Sequence, residues 1–362
     1  MLAGMVIKNI KKRKSKMGKI LIPIVILFIL SGCPTAPAEE DLAGTTPSYL
    51  IIDHTAIAQF DTIPQSYIDE VKKSLLILPG ESHGRAYGYG LELVEADNAK
   101  YDSNTYWSGA AESYTTSHLR WNRSFLDNAT WNDSCGEEDF YTNAAARGDT
   151  LTGLQTLSST YSGQIYFGFG WCWDMTWLNG VTAIKDPVYK CGWAGSSVDG
   201  LEGNLPWGLD SEDQSITANS VSLQTYLDTV DYYNTNASGI KTIFTTGPVD
   251  GDTDNEDNNE NGYQRHLKYE AIRDYVQVNG GILFDYADIL SWDYTNNHGF
   301  QENWTDGDLV VHYWNGRNPT LATGGTGYNG GSGGCHISQD GVVLIGKALW
   351  VMLARDAGWD GN

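Results

Sequence analysis

Segments of strand length alternate with segments of helical period along this chain, most regularly after residue 220. The pattern predicts a helix over 220–233, a strand over 241–246, a helix over 263–278, a strand over 281–286 and an apolar terminal helix over 342–357. Strands that alternate with helices are joined by right-handed crossovers and form parallel sheets covered on both faces. The sequence therefore predicts an α/β fold of three layers, α/β/α, around a mostly parallel sheet.

The first half of the chain carries similar elements with longer interruptions. Strands are predicted over 49–53, 75–78 and 164–173, and a helix over 63–73. Two sections with little periodicity are expected to be loop insertions around a site, one rich in Asn, Ser and Trp over 96–150 and one rich in Gly and Trp over 178–213. After a tether over 34–47, residues 48–362 are expected to form one domain.

The first 33 residues have the composition of an export signal. Seven basic residues precede an apolar run over 20–30, which is short for a membrane span. The run ends in Leu30-Ser-Gly-Cys33, which resembles a lipobox, a signal in which the cysteine is lipidated. Met17 is an alternative start, and an uncleaved anchor helix is the alternative to cleavage. The cleaved, lipidated signal and the uncleaved anchor helix both predict a domain outside the cytoplasm that meets the membrane only through its anchor.

The rest of the chain is strongly acidic. The signal holds 7 of the 23 basic residues and none of the 45 acidic ones, so removing it leaves 16 basic residues and a net charge of −29. Such a charge argues against nucleic acid as a partner. Five Asn-x-Ser/Thr sequons mark glycan sites if the host glycosylates: Asn122, Asn128, Asn132, Asn236 and Asn303.

Four cysteines follow Cys33. They are Cys135, Cys172, Cys191 and Cys335. In an exported chain an even number of cysteines predicts two disulfides, and three connectivities are open, of which Cys172–Cys191 is the most local.

A short polar cluster, Glu81-Ser-His-Gly84, separates the predicted strand over 75–78 from a segment that can be helical over 85–95. A serine at such a turn exposes its hydroxyl at the edge of a parallel sheet, with its backbone N–H near a helix N-terminus. Ser82 is therefore a candidate nucleophile, and the alternative is that it only caps the helix. His336, just ahead of the terminal helix, is the candidate base, and His54 is a weaker rival.

These residues resemble the SGNH (GDSL-like) hydrolase superfamily. Gly80-Glu-Ser-His83 is similar to its first sequence block, and His336 with the helix after it is similar to its last. Motifs over 52–55, 171–173, 246–251, 284–289 and 354–361 are similar to an exported lipoprotein branch of that superfamily. The resemblance implies a flavodoxin-like sheet and a serine esterase that requires no cofactor, with Ser82 as nucleophile and His336 as general base.

The remaining site residues follow from the same resemblance. Oxyanion or substrate contacts are expected from Gly84, Gly170, Trp171, Trp173 and Asp174. Glu81 stands where the family has Asp, and Gly333 stands where the Asp that orients the histidine would be. Another acid is then expected to orient it, and the candidates are Asp340, Asp285, Asp306 and Asp308. The alternative is that a carbonyl group or a water molecule replaces the acid. The alternative is an inactive, glycan-binding protein on the same fold.

An acidic loop and a set of tryptophans complete the sequence-based predictions. Asp250, Asp252 and Asp254 have the spacing of a calcium loop, although a solvated loop is the alternative. Tryptophans near the predicted strand ends suit sugar rings: Trp107, Trp121, Trp131, Trp171, Trp173, Trp177, Trp193 and Trp207. Trp350 is expected in the core. The predicted function is therefore an exported esterase or deacetylase that acts on acylated glycans.

Overall fold

The computed structural model describes residues 48–80, 82–127, 130–132, 144–171, 184–185, 189, 192–193, 223–249, 259–323, 327–330 and 334–362. All of them belong to one compact unit, Thr46–Asn362. The strands are β1 (Tyr49–Ile52), β2 (Leu75–Ile77), β3 (Ser103–Tyr106), β4 (Leu119–Asn122), β5 (Phe125–Asp127), β6 (Thr130–Asn132), β7 (Ile165–Gly168), β8 (Ile184–Lys185), β9 (Gly192–Trp193), β10 (Ile240–Thr245), β11 (Gly281–Phe284), β12 (Trp292–Asp293), β13 (His298–Gly299), β14 (Gln301–Thr305) and β15 (Val311–Asn315). The helices are α1 (Gln65–Val71), α2 (Arg85–Asp97), α3 (Ala144–Thr160), α4 (Leu223–Asn236), α5 (Asn259–Asn279), α6 (Tyr286–Ser291) and α7 (Gln339–Asp356), with 3₁₀ helices at His54–Thr62, Ser82–Gly84 and Ala99–Tyr101.

Seven strands form one sheet in the order β1-β11-β10-β7-β2-β4-β3, and every neighbouring pair is parallel. Alternate residues of a strand point to opposite faces, and the core divides accordingly. Leu76 and Leu78 join a cluster that includes α2 and α7, whereas Leu75 and Ile77 join a second cluster that includes α4 and α5. The predicted three-layer α/β/α fold is confirmed.

The strand order contains a reversal at β2. From β2 the chain first adds β3 and β4 on one side and then returns to add β7, β10 and β11 in succession on the other. The five strands β4-β2-β7-β10-β11 have the flavodoxin-like order, with β3 added beyond β4 and β1 added beyond β11. In sheets of this kind ligands bind outside the carboxyl ends of the strands where the order reverses. The residues that follow β2 and β7 therefore lie at the favoured position for a site.

Helix α7 closes the core on one face of the sheet. Eleven of its 18 residues are buried, among them Trp350, as predicted. It packs against α2, α1, β1 and the 3₁₀ helix His54–Thr62. Its axis comes close to α2 at Gly90 and Gly346, where a Cβ built on Gly346 would lie 2.2 Å from the Gly90 carbonyl oxygen. The Ser338 side chain caps the helix by accepting the Gly341 N–H at 3.1 Å.

The prediction of a loop insertion over 96–150 is wrong in part, because this section supplies β3 and β4 to the central sheet. Buried polar residues hid the strand signal. Arg120 donates from Nη2 to the Ser74 carbonyl at 2.9 Å, and Asn122 donates to the Gly109 carbonyl at 2.8 Å. Of the section over 178–213, only β8, β9 and Tyr189 lie within the described residues.

No helix within the described ranges has both the length and the apolar character to cross a bilayer. The signal, the lipobox Cys33 and most of the tether lie outside these ranges. The same holds for the proposed calcium ligands Asp250, Asp252 and Asp254 and for Glu81, Gly333, Trp173, Asp174, Cys135, Cys172 and Cys191. The predictions made for them stay predictions.

Candidate functional site

The chain leaves β2 through a close contact between two glycines. Gly80 forms a parallel bridge to Gly170, which follows β7, and the Gly170 N–H donates to the Pro79 carbonyl at 2.8 Å. A Cβ on Gly80 would lie 2.3 Å from the Gly170 carbonyl oxygen, so a side chain there would separate the two strand ends. Gly84 lies against the same residue. The turn that holds Ser82 is therefore fixed to the next strand of the sheet.

Ser82 begins the 3₁₀ helix Ser82–Gly84 with a φ of 27°, which non-glycine residues seldom adopt. Strained residues of this kind cluster at functional sites. The alternative that Ser82 caps the following helix is wrong, because the N-cap of α2 is Gly84 and no side chain caps that helix. The local geometry is that of a strained strand-to-helix turn with a half-buried serine.

The structure brings His336 to this turn across the whole length of the domain. The His336 ring stacks on that of His83, with 4.8 Å between ring centroids and 25° between planes. His336 also has a positive φ, 60°. Within the described residues no hydrogen bond joins the Ser82 hydroxyl to the His336 ring, so the two candidate residues are linked here through His83.

The segment around His336 is held on both sides. The Tyr328 N–H donates to the Ile337 carbonyl, and the Ser338 N–H donates to the Leu321 carbonyl, both at 2.7 Å. Cys335 carries a buried thiol whose sulfur lies 3.8 Å from the Tyr328 carbonyl oxygen. The backbone of His336 is thereby fixed relative to the start of α7.

Half-buried aromatic residues continue outward from the His336 segment. The Tyr89 ring of α2 contacts Tyr328 at 5.6 Å and Trp107 at 4.5 Å between centroids. Trp107 follows β3, and its far side contacts the buried Trp121. Tyr89, Trp107 and Tyr328, which we call the aromatic cluster, therefore extend from the candidate base towards the end of β3.

The tryptophans predicted to bind sugar differ in exposure. Trp121 and Trp171 are buried. The Trp171 indole N–H donates to the Thr245 carbonyl at 2.9 Å, and its ring packs on Tyr226, so this side chain belongs to the core and not to an open cleft. Trp131 is half-buried, like Trp107. The side chains of Trp173, Trp177, Trp193 and Trp207 lie outside the described residues.

The four aspartates predicted to orient His336 have their own, separate environments in the structure. Asp285 is buried and binds Arg273 through two contacts, 2.5 and 2.8 Å, and also accepts the Thr246 hydroxyl. Asp340 is exposed in the first turn of α7. Asp306 lies in the turn between β14 and β15, where a hydrogen bond from His312 holds the pKa of its carboxyl below its usual value. The Asp308 N–H donates to Asp306 in that turn. In the described part of the chain none of the four bonds to His336.

A second group of titratable residues lies at the other end of the sheet's carboxyl edge. His54, directly after β1, contacts Asp288 of α6 from ring Nδ1 at 2.6 Å and from its backbone N–H at 2.8 Å. Its ring stacks on Trp292 with 3.6 Å between centroids. Burial lowers the pKa of His54, but the hydrogen bond and the charge of Asp288 raise it by more. The pKa of His54 therefore lies above its ordinary value.

A cavity of about 430 Å³ opens beside this group. Its charged lining residues are Asp53, Arg265, His266, Glu270, Arg273, Asp285 and Asp288. Asp53, His54 and Asp288 place ligand-type atoms within 4.8 Å of one another. Because β1 and β2 are four strand positions apart, the cavity is roughly 19 Å from the Ser82 turn along the sheet. The sequence marked His54 but gave no sign of Asp288 as its partner.

Comparison with protein-family models, with curated proteins and with solved structures gives no match. The likeness to SGNH hydrolases therefore rests on the order of short motifs. The strand order and the geometry of the Ser82 turn stand independently of it.

Proposed function

We propose that this chain is an exported serine esterase or deacetylase of SGNH type that acts on acylated glycans. The observation that carries the proposal is the stacking of His336 on the residue that follows Ser82. Ser82 and His336 both have unfavourable positive φ angles, and the stack on His83 brings His336 to the turn at which the strand order reverses. Core packing alone does not explain why both residues adopt these backbone angles.

In the proposed reaction the Ser82 hydroxyl attacks the acyl carbonyl carbon while His336 accepts its proton. The backbone N–H of Ser82 stabilises the oxyanion that forms. His336 then gives the proton to the leaving sugar oxygen, and the C–O bond breaks to leave an acyl-serine. A water molecule attacks this ester while His336 accepts its proton. His336 then returns that proton to the Ser82 oxygen as the acyl–serine C–O bond breaks, which releases the acid and restores the Ser82 hydroxyl. No cofactor takes part in these steps.

The substrate class is supported by the aromatic cluster. Aromatic faces with polar edges bind sugar rings, and this cluster begins beside the candidate base. The predicted export signal would put such an enzyme on the extracytoplasmic side, where it would meet acylated glycans. The rival function is glycan binding without catalysis, which is favoured by the lack of a Ser82–His336 hydrogen bond within the described residues.

Hydrolysis of a chromogenic acetate by wild type, Ser82→Ala and His336→Gln tests the proposal. Loss of the nucleophile or base is expected to lower kcat by about a thousandfold or more. Ser159→Ala, an exposed serine on α3, is the matched control and keeps the wild-type rate. Equal rates for Ser82→Ala and wild type would overturn the esterase assignment.

A second arm of the same experiment separates the two functions. Tyr89→Ala is expected to raise KM for an acetylated oligosaccharide several-fold and to leave KM for the chromogenic acetate unchanged. If wild type hydrolyses neither compound but binds the oligosaccharide, and Tyr89→Ala weakens that binding, the glycan-binding alternative is correct.

A further inference from the structure

A histidine that acts as a general base must hold its ring in one orientation towards the nucleophile. In serine hydrolases a carboxylate usually does this through the second ring nitrogen. Gly333 occupies the position from which the resemblance would supply that carboxylate. In the proposed esterase, a contact between the His336 ring and the turn that holds Ser82 can serve the same purpose.

The stack between His83 and His336 has the geometry for this role. Aromatic rings attract one another at centroid distances of about 4.5–7 Å, and this pair lies at 4.8 Å with nearly parallel planes. His83 is 1 % exposed, so its ring is enclosed by protein and presents a fixed surface. Rotation of the His336 ring out of the stack would break this contact.

His83 is itself held by the sheet. Its carbonyl oxygen accepts the Tyr286 hydroxyl at 3.4 Å, and Tyr286 is the first residue of α6 after β11. The next residue, Gly84, lies against Gly170 at the end of β7. The backbone at His83 is thus held against the segments that follow β11 and β7.

The backbone of His336 is also held by its neighbours. A Cβ on Gly327 would lie 2.6 Å from the His336 carbonyl carbon, so the two segments are in close contact. The flanking hydrogen bonds of Tyr328 and Ser338 hold the same segment. We propose that His83 is a positioning residue that fixes the plane of the His336 ring by stacking. This inference rests on the proposed esterase function.

Three variants test the role by kinetics. His83→Ala removes the ring, His83→Asn removes it but keeps a polar side chain of similar size, and His83→Phe keeps a flat ring. We expect kcat of His83→Ala and His83→Asn to fall about ten- to a hundredfold with KM changed less than twofold. His83→Phe should recover kcat to within about threefold of wild type. Equal kcat values for His83→Phe and His83→Asn, whether low or near wild type, would overturn the proposal.

A spectroscopic measurement tests the stack without relying on activity. The ring Cε1–H signal of His336, assigned by its loss in His336→Gln, should be shifted by the ring current of residue 83 in wild type and in His83→Phe. It should move towards the position of an unstacked histidine in His83→Asn. An unchanged signal in His83→Asn would overturn the proposal even if kcat falls. If Ser82→Ala keeps the wild-type rate, the esterase function is wrong, and the signal still decides whether the stack forms.

Discussion

His54 and Asp288 are joined by a 2.6 Å contact between ring Nδ1 and Oδ2, although 234 residues separate them in the chain. The contact ties the segment that follows β1 to α6, which follows the neighbouring strand β11. Burial opposes a charge on His54, and the Asp288 hydrogen bond and charge outweigh it and raise the pKa of His54 above 6.5.

This relationship predicts a pH-dependent stability. A group whose pKa is higher in the folded state adds stability that is fully present below its unfolded pKa of 6.5 and is lost as pH rises through the folded value. Asp288→Asn should therefore lower the free energy of unfolding by about 1–2 kcal/mol at pH 5.5 and by less at pH 8.5. Urea denaturation at both pH values measures this. His298→Asn, at an exposed site, is the control, and an equal loss at both pH values for Asp288→Asn would contradict the prediction.

The ion pair between the half-buried Arg273 and the buried Asp285 predicts a larger effect. Asp285 is 2 % exposed, so removing its cationic partner leaves an uncompensated charge in the interior. Arg273→Met should lower the free energy of unfolding by about 3–5 kcal/mol in urea denaturation. Lys73→Met, which breaks the exposed contact with Glu70, should change it by less than about 1 kcal/mol. Similar losses for both variants would show that Asp285 has another partner.

The φ of Ser82 predicts that this residue lowers stability. Glycine relieves strain of about 1–3 kcal/mol at such a φ and costs about 0.5–1 kcal/mol in unfolded-state entropy. Ser82→Gly should therefore be about 1 kcal/mol more stable than Ser82→Ala, and both should be inactive. Ser158 lies inside α3, so Ser158→Gly should be less stable than Ser158→Ala. Thermal and urea unfolding measure the stability difference between the Gly and Ala variants at each position. If that difference has the same sign at positions 82 and 158, strain at Ser82 is disproved.

The contact between α2 and α7 predicts strong sensitivity at two glycines. A Cβ on Gly90 would lie 2.6 Å from the Gly346 nitrogen, so Gly90→Ala forces the helices apart. We expect a loss of about 1–3 kcal/mol in the free energy of unfolding. Gly148 of α3 has open space around its Cβ position, and Gly148→Ala should gain up to about 1 kcal/mol. A neutral Gly90→Ala would mean that the two helices are not in contact there.

The core of the fold was predictable where apolar runs are continuous. The sequence over 75–78 is apolar on both faces, as a central parallel strand requires, and Trp350 lies in a helix that is apolar nearly all round. β4 escaped prediction because Arg120 and Asn122 are buried through hydrogen bonds to backbone carbonyls. Local hydrophobicity does not report such tertiary partners.

The sequence allowed single residues of the candidate site to be predicted, but not the contacts between them. Ser82 and His336 are marked by their places beside predicted elements, but the His83–His336 stack depends on the packing of the two ends of the domain. Asp285 has the sequence position of a catalytic acid, but in the structure its charged partner is the half-buried Arg273. Pairing over more than 200 residues, as for His54 and Asp288, has no local signal.

The pairing of β1 with β11 also governs how this chain can fold during synthesis. Tyr49 finds its partner Gly281 only after most of the domain has been made, and α7 is made later still. Until then the first strand and the apolar surface that α7 will cover remain exposed to chaperones and proteases. A chain with this topology can complete its central sheet only when nearly the whole domain has been made.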